Sequence, residues 1–392
     1  SGLLRKSGDA TLSLSGNNSG LSGGASVDEG VLRYTTDGAS TDSLFGGAIS
    51  VANGATFGLT NNAAGSLTLN NGLSGAGIFD VAGNVILEGN NSGLTGKTII
   101  NSGTLSYNNN AGSFVVGEVE VDGTLEYTAA VDKVLNNALS GNGTIKKLGS
   151  GEITISNTEA SDGTRFTGLL DIDAGKLTMN ALAQTTSGEF DYSAIVDNGS
   201  ALSYVANASD TYDISNASKF EFGSANANST ISFTNASYNL TGDLANATGN
   251  TTEFNDADLT VIGTAAFAGN YVLNNSSLDL IDAAVSNVTF AGLTSDDSSL
   301  DIDFSFAGTG SADKLISTVS SGTISLNNIS VFNLDDSGNN LERNIQVLDG
   351  LTFNNGGTYS TVLESDLYKY TATIVSGNTL HLVASDYSTD TL

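Results

Sequence analysis

"GNNSGLTGKTIINSGTLSY" occupies residues 89–107, and nearly the same phrase, "GNNSGLSGGASVDEGVLRY", occupies residues 16–34. The glycines and the leucine near the end of the two phrases coincide at a constant offset of 73 residues. A looser third copy, "FTGLLDIDAGKLTM", follows at residues 166–179. Such self-similarity is typical of repeat architectures, in which each unit buries its apolar face only against its neighbours.

A second pair of phrases, "NNGLSGAGI" (70–78) and "NNALSGNGT" (136–144), is related by an offset of 66 residues. Short alternating segments such as "EITI" (152–155) lie between Gly and Asn turns, which favours an all-β structure. The chain has 47 glycines and no proline. Absence of proline suits long β-ladders, because each proline would remove a backbone donor.

In the middle of the chain, apolar–polar–apolar segments recur at the regular spacings of 18, 21, 19 and 22 residues. Their first apolar residues are Phe220, Tyr238, Leu259, Leu278 and Leu300. Alternation of this kind places successive side chains on opposite faces of a strand, and Gly or Asn can form the corners between strands. We therefore predict an all-β, right-handed parallel β-helix of about 18–20 coils, with a length of roughly 90 Å.

Charge and composition exclude several classes of function. The 42 acidic and 13 basic residues give a net charge of −29, which disfavours nucleic acid and anionic membranes as partners. Cysteine is absent, so disulfides and thiolate metal sites are excluded. No apolar run approaches the length of a membrane-spanning helix. The start at Ser1, without a methionine or a signal peptide, is typical of a piece of a longer chain.

Two groups of motifs carry a resemblance to a known family. "KSGDATLSLSGNNSGLSG" (6–23) and "KKLGSGEITIS" (146–156) resemble the passenger-associated repeat of bacterial autotransporters, the proteins of type V secretion. "GSADKLISTVSSGTISLNNISVFNLDD" (310–336), "IQVLDGLTF" (345–353) and "YKYTATIVSGNTLHLVA" (368–384) resemble, in this order, a pertactin-like autochaperone end. The resemblance implies a β-helical passenger whose C-terminal end nucleates folding outside the cell.

The motifs predict four regions. Residues 1–180 form a Gly/Asn-rich passenger-repeat β-helix, and residues 181–305 form a β-helix with coils of about 20 residues. Residues 306–385 form the autochaperone-like cap, and residues 386–392 form a tail that leads to a missing barrel domain. In the family such a barrel lies in the outer membrane.

Catalytic motifs of the family are missing. The sequence has no "GDSGS"-like nucleophile setting of the serine-protease passengers and no Gly-Asp-Ser-Leu start of the esterase passengers. The single histidine, His381, lies between Leu380 and Leu382, which take the opposite face of a predicted strand. We interpret His381 as a solvated strand residue.

Acidic pairs leave two alternatives open. Glu118, Glu120 and Asp122 are predicted on one face of a strand, and residues 171–173 and 300–304 repeat this arrangement. Alternate residues lie roughly 6.5–7 Å apart, a separation that an inverting glycosidase could use. The other interpretation, a solvated acidic face, needs no active site, and the chain has no tryptophan to stack on sugars.

No metal site is predicted, because "LDDSGNN" (334–340) lacks the spacing of a calcium-binding loop. We expect no catalytic, cofactor-binding or metal-binding residues, no cofactor and no enzymatic activity.

The resemblance implies an adhesin at the bacterial cell surface or outer membrane, or secreted after cleavage. Its partners would be a host-cell receptor, a matrix protein or glycan, or identical passengers on neighbouring cells, besides its own barrel. The alternatives are a glycan-processing enzyme, a secreted toxin or a structural coat protein.

Overall fold

The structure is a computed structural model that describes residues 2–16, 18, 20–36, 44–107, 114–128, 130–156, 159–180, 190–214, 219–305, 311–318, 322–333, 342–353, 360–364, 368–374 and 378–387. The chain divides into two compact units, residues 1–185 with 191–202, and residues 186–190 with 203–392. All regular secondary structure in the described ranges is β-strand. Those ranges hold no helix long and apolar enough to cross a membrane.

The strands, in chain order, are β1 (Leu4–Lys6), β2 (Thr11–Ser15), β3 (Ala25–Val27), β4 (Val31–Thr36), β5 (Ile49–Val51), β6 (Thr56–Asn61), β7 (Leu67–Leu69), β8 (Leu73–Gly75), β9 (Ile78–Ala82), β10 (Val85–Leu87), β11 (Gly93–Leu94), β12 (Thr98–Ser102), β13 (Thr104–Tyr107), β14 (Val119–Val121), β15 (Thr124–Tyr127), β16 (Lys133–Leu135), β17 (Leu139–Ser140), β18 (Thr144–Lys147), β19 (Glu152–Ile155), β20 (Leu169–Ile172), β21 (Lys176–Asn180), β22 (Ser193–Val196), β23 (Ala201–Val205), β24 (Thr211–Ile214), β25 (Phe220–Phe222), β26 (Thr230–Thr234), β27 (Ser237–Leu240), β28 (Thr251–Asn255), β29 (Asp258–Thr260), β30 (Ala265–Asn274), β31 (Ser277–Asp279), β32 (Asn287–Ser305), β33 (Ser311–Ala312), β34 (Lys314–Ser317), β35 (Gly322–Asn333), β36 (Glu342–Gln346), β37 (Leu348–Asp349), β38 (Leu351–Phe353), β39 (Ser360–Glu364), β40 (Tyr368–Ile374) and β41 (Thr379–Tyr387). Strands β1–β22 belong to the first unit, and β24–β41 belong to the second.

Parallel sheets run through the first unit. Their strand orders are β1-β3-β5-β8-β11, β2-β4-β6-β9-β12-β14-β17 and β7-β10-β13-β15-β18-β20-β22, with a shorter set, β16-β19-β21. Each strand pairs with a strand of the next turn: Thr104 pairs with Thr124, and Thr124 pairs with Thr144. Inward residues such as Leu125 and Tyr127 are buried, so stacked turns share one core.

Corners between strands use the residues that the sequence predicts, but their type changes along the chain. Gly75 and Gly141, one in each "LSG" phrase, have φ angles of 103° and 97°. Among described non-glycine residues, the ten with positive φ all lie at or beyond Asn198, and eight of them are Asn or Asp. Asn and Asp tolerate the left-handed conformation better than other side chains, so at the later corners they share this role with glycines such as Gly249 and Gly269.

Buried asparagines hold the corners of the second repeated phrase. Asn71 is 5% exposed, and its Nδ2 donates to the carbonyl oxygens of Phe45 and Gly47 at 2.6 Å each. Asn137, the equivalent residue 66 positions later, donates in the same way to Val115 and Gly117 at 2.9 and 2.6 Å. Each amide thus satisfies two carbonyl groups of the preceding turn, which a buried corner otherwise leaves unpaired.

Two buried lysines perform a similar task. Lys147 is 0% exposed, and its Nζ donates to the carbonyl oxygen of Gly149 and, at 3.2 Å, to that of Ala174 in the next turn. Lys6 Nζ donates in the same pattern to the backbone carbonyl oxygens of Gly8 and Glu29. Burial lowers the pKa of the Lys147 ammonium, yet the two carbonyls partly replace its water.

Neighbouring lysines should therefore differ in their contribution to stability. Lys147→Ala is expected to lower the free energy of unfolding by about 2–4 kcal/mol, because it removes a buried stem and leaves two carbonyls unpaired. Lys146→Ala, which breaks the partly exposed ion pairs with Asp171 and Asp173, is expected to cost less than about 1 kcal/mol. Urea unfolding of both variants checks this, and equal losses would contradict it.

In the second unit, the regularly spaced segments pair with one another in successive turns, with one exception. Tyr238 pairs with Leu259, Leu259 with Leu278, and Leu278 with Leu300, as the spacing predicts. The prediction that Phe220 belongs to this regular series is wrong. Tyr238 pairs on its other side with Tyr212, because β25 and β27 belong to different sheets. Two asparagines with positive φ, Asn226 and Asn228, turn the chain between these strands.

Aromatic side chains fill the core of the second unit. The ring centroid of Phe233 lies 5.3 Å from that of Tyr238 and 5.5 Å from those of Phe220 and Phe254. Phe190 packs against Phe220 at 4.5 Å. These rings belong to successive turns and are almost completely buried, so the stack fixes the turns on each other.

The C-terminal strands leave the parallel arrangement. β36, β41, β40 and β39 form a separate antiparallel sheet. The predicted all-β parallel β-helix is confirmed, but it has about 12 turns and not 18–20. Two features reduce the number: the antiparallel sheet uses part of the chain, and some turns are long, as where Leu315 pairs with Leu348. The four predicted regions stay a prediction.

Candidate functional site

A row of outward-facing residues crosses the sheet that contains β12 and β14. Parallel register places one residue of each strand in this row, which we call the flank row. In spatial order it consists of Ser13, Arg33, Gly58, Asp80, Ile99, Glu120 and Ser140. The row is mostly polar, whereas the residues on either side of Arg33, Asp80 and Glu120 in their strands are buried in the core.

Ion pairs join different turns along the flank row. Arg33 reaches across Gly58 to Asp80, with Nη2 and Oδ2 2.9 Å apart. A Cβ atom on Gly58 would lie 3.0 Å from the guanidinium carbon of Arg33, so glycine leaves room for the arginine. The flank therefore presents polar groups whose positions are fixed by the stacking of the turns.

A loop at residues 159–167 lies beside the end of the flank row that contains Glu120 and Ser140. Its two ends meet in an antiparallel bridge between Glu159 and Arg165. The backbone N–H of Ser161 donates to Oε1 of Glu118 at 2.8 Å, which ties the loop to the strand region 43 residues earlier. Between loop and strands lies a cleft of about 360 Å³, which we call the flank cleft. It is lined by Lys97, Glu120, Asp122, Ser140, Gly141, Asn142, Asp162, Thr164, Arg165 and Thr167.

Lys97 is the central cation of the flank cleft. Its Nζ lies 2.6 Å from Oε2 of Glu120. This hydrogen bond raises the pKa of the Lys97 ammonium, and the negative charges of Asp162 and Glu118 act in the same direction. One ammonium thus lies in the field of three carboxylates.

The other cation of the flank cleft, Arg165, is already neutralised by groups outside it. Its guanidinium lies 3.1 Å from Glu159 and 3.4 Å from Asp191.

Asp162 accepts hydrogen bonds from the N–H and the hydroxyl of Thr164, which lower the pKa of its carboxyl. Asp122 is exposed and forms no ion pair with any described residue. Negative charge therefore exceeds positive charge in the flank cleft.

Ser140 forms part of the cleft wall and has an unused hydroxyl. It is 2% exposed, and its Oγ has no hydrogen-bond partner among the described residues. Parallel register places it beside Glu120 on the outer face of the sheet. A buried hydroxyl without a partner is unfavourable by about 1–3 kcal/mol, so a ligand that bonds to it would gain stability.

The first acidic stretch, residues 118–122, lies as predicted. Val119 and Val121 are fully buried, while Glu118 and Glu120 lie on the outer face. Both carboxylates are engaged, one by the Ser161 N–H and one by Lys97. No aromatic ring lines the flank cleft, so the platform on which a sugar ring would stack is missing from it.

The second acidic stretch, residues 171–173, converges on one lysine. Lys146 Nζ lies 2.6 Å from Asp171 and 2.9 Å from Asp173, and these bonds raise the pKa of its ammonium. Asp171 and Lys146 are register partners in adjacent turns. This arrangement is an ion pair between turns and leaves no free carboxylate pair.

The third stretch, residues 300–304, corrects the prediction of a solvated acidic face. Asp303 is 0% exposed, because residues 282–284 cover it and donate backbone N–H groups from Asp282 and Ala284 to its Oδ2. Asp313, also 0% exposed, accepts the backbone N–H groups of Ser286 and Asp303 at 2.6 Å each. Burial raises the pKa of Asp313 to about 6, and the charges of Asp303 and Asp282 act in the same direction.

This pair predicts a pH dependence of stability. The pKa of Asp313 is about 6 in the folded chain and about 3.9 when unfolded, so the folded chain binds this proton more tightly. The stabilisation is complete below pH 3.9 and is lost as pH rises through 6, with a total of about 3 kcal/mol. Urea unfolding of the wild type and Asp313→Asn from pH 3.5 to 7 checks this. Parallel pH profiles for both proteins would contradict the assignment.

Other predicted positions carry no site. His381 is partly exposed on β41, with Nδ1 2.9 Å from Oδ1 of Asn344, and Leu380 and Leu382 are buried as predicted. "LDDSGNN" lies outside the described residues. Within the described part of the chain, no group of three or more His, Asp or Glu residues could hold a metal ion. Sequence reasoning missed Lys97, Ser140 and Asp162, which the fold brings together.

Fold and flank cleft define a β-solenoid protein with a polar, acidic outer face. No family model and no curated protein matches the sequence. Among solved structures, the chain is similar to the crystal structure of the Haemophilus influenzae Hap adhesin, with 13% sequence identity and a TM-score of 0.36. The match covers 97% of this chain and 49% of that chain, so this chain spans about half the length of the Hap chain.

Proposed function

We propose that this chain is an adhesive β-solenoid that binds a partner surface through the flank row and the flank cleft. The observation that carries the proposal is the cleft itself: fixed polar groups on the outer face of stacked turns, among them one buried hydroxyl without a partner. The motifs that resemble autotransporter passengers support it, as does a flank held by ion pairs between turns.

An adhesive flank of this kind works through many weak contacts. A hydrogen bond at an exposed surface contributes roughly 0.5–1.5 kcal/mol net, so no single pair gives useful affinity. Contacts made together by one rigid face combine, because each further contact forms at a high effective concentration. Location at a bacterial cell surface, or release from it, is part of the proposal, and the partner is a host receptor, matrix protein or glycan.

Self-association between identical chains is the less favoured mode of adhesion. Each chain carries a net charge of −29, so two acidic flanks repel each other at low ionic strength. Glycan processing is not proposed, because Glu118 and Glu120 are engaged by protein groups. The absence of enzymatic activity stays a prediction.

Attachment of coated beads tests the proposal. Beads that carry the whole chain are passed over surfaces coated with matrix proteins or with glycans, beside beads that carry an unrelated protein of similar net charge. We expect attachment above this control on at least one surface and no clumping of the beads. Attachment to no surface would contradict the adhesive function, and clumping without attachment would show self-association as its mode.

A further inference from the structure

We propose that the flank cleft takes a primary ammonium group, supplied by a lysine of a basic segment in the partner protein. This inference rests on the adhesive function proposed above for the same face and specifies the chemistry of the partner. Three features of the cleft support it: the excess of carboxylates, the unused hydroxyl of Ser140 and the ammonium group of Lys97.

The excess of carboxylates determines the sign of the ligand. Glu120, Asp122 and Asp162 line the cleft, and Lys97 is the one lining cation that is not neutralised by carboxylates outside it. Glu118 adds a further negative charge beside Lys97. An anionic group, such as a sulfated or sialylated glycan, would be repelled, whereas a second cation would be attracted.

The unused hydroxyl selects among cations. An ammonium group has three N–H donors that can point in different directions, so one can bond to Ser140 Oγ while the others bond to carboxylates. A metal ion would need several converging ligands, and the described residues contain no such group. A second copy of this acidic chain is also a poor supplier, because it has 42 acidic and 13 basic residues.

The ammonium group of Lys97 allows a test in which two substitutions are expected to change the affinity in opposite directions. Lys97 occupies an oxygen of Glu120 at 2.6 Å, so it competes with an incoming lysine for the same carboxylate. Removal of Glu120 should weaken binding, while removal of Lys97 should strengthen it. A purely structural role for this ion pair predicts that both changes act in the same direction.

Binding of a short lysine–glycine peptide to the whole chain tests the inference, with fluorescence anisotropy as the readout at low salt. We expect Glu120→Gln to weaken binding roughly tenfold, the loss of one charge-assisted hydrogen bond. Lys97→Gln should tighten binding about threefold or more, because it removes the competing charge. The same peptide with acetylated lysines should not bind, because it lacks the charge.

Matched controls separate the cleft from net charge. Asp9→Asn makes the same charge change as Glu120→Gln in front of β2, four strand spacings or roughly 19 Å from β12. Lys176→Gln breaks a different lysine–carboxylate pair, that with Glu152. Both controls should bind the peptide within twofold of the wild type. If Glu120→Gln does not fold, Asp122→Asn, on an exposed side chain, provides the same test.

Three results would overturn the inference: binding of the acetylated peptide, weaker binding by Lys97→Gln, or equal effects of cleft variants and controls. The bead experiment separates this failure from failure of the proposed function. Beads of Glu120→Gln that attach as well as the wild type would leave adhesion intact and remove the cleft from it. Peptide binding without attachment of wild-type beads would leave the cleft intact and contradict adhesion.

Discussion

Replacing Phe233 by alanine is expected to lower the free energy of unfolding by about 3–5 kcal/mol. Phe233 is fully buried, and its ring is stacked on Phe254 at 5.5 Å and tilted against Tyr238 at 5.3 Å. It also contacts Phe220 and Phe190. Truncation leaves a cavity between three successive turns, which the neighbouring rings cannot fill without leaving their own stacks.

Phe233→Leu is the control, because it keeps most of the apolar volume while it removes the ring. We expect it to cost clearly less than alanine, since volume-conserving changes in a core are tolerated best. Urea unfolding, followed by tyrosine fluorescence, measures both. A loss below about 1 kcal/mol for Phe233→Ala would contradict a tightly packed aromatic core.

A second large effect is expected at the corner formed by Gly75. Gly75→Ala should destabilise the chain by about 3 kcal/mol or more, because the residue has a φ of 103° and its new Cβ would overlap the carbonyl oxygen of Val51. That carbonyl accepts the N–H of Gly77 at 3.0 Å, so the overlap also disturbs a bond between two turns.

Gly54→Ala separates the two causes of this loss. Gly54 has a φ of 81°, but a Cβ atom there would meet no atom within 4 Å. It should therefore show only the conformational cost of about 1 kcal/mol that a left-handed alanine carries. Equal losses at both glycines would contradict close contact between neighbouring turns as the reason for glycine at Gly75.

Fold class could be read from the sequence because corners and strands have local signatures. Positive φ at Gly30 and Gly103 and burial of Leu32 and Leu105 agree with the repeated phrase. The phrase does not fix which sheet a strand joins, however: β4 and β13 carry equivalent residues but belong to different sheets. A glycine corner followed by an alternating strand fits any side of a solenoid, so a constant offset does not mean a constant position.

The candidate site could not be read in the same way, because it depends on contacts between distant residues. Glu118 holds the loop at Ser161 across 43 residues, and no local pattern encodes that bond. Asp303 shows the same limit: alternation places it on the face away from Ile302, but a loop at residues 282–284 covers that face. Periodicity predicts which way a side chain points, while its exposure depends on what else packs there.

Hydrogen–deuterium exchange of the chain bound to a surface that it adheres to tests the adhesive face most directly. We expect slower exchange in the loop at residues 159–167 and beside Lys97 and Glu120, with little change in the antiparallel sheet of β36 and β39–β41. Loop amides are the best reporters, because strand amides already exchange slowly within their ladders. Protection confined to the antiparallel sheet, with an unchanged loop, would contradict the assignment of adhesion to the flank cleft.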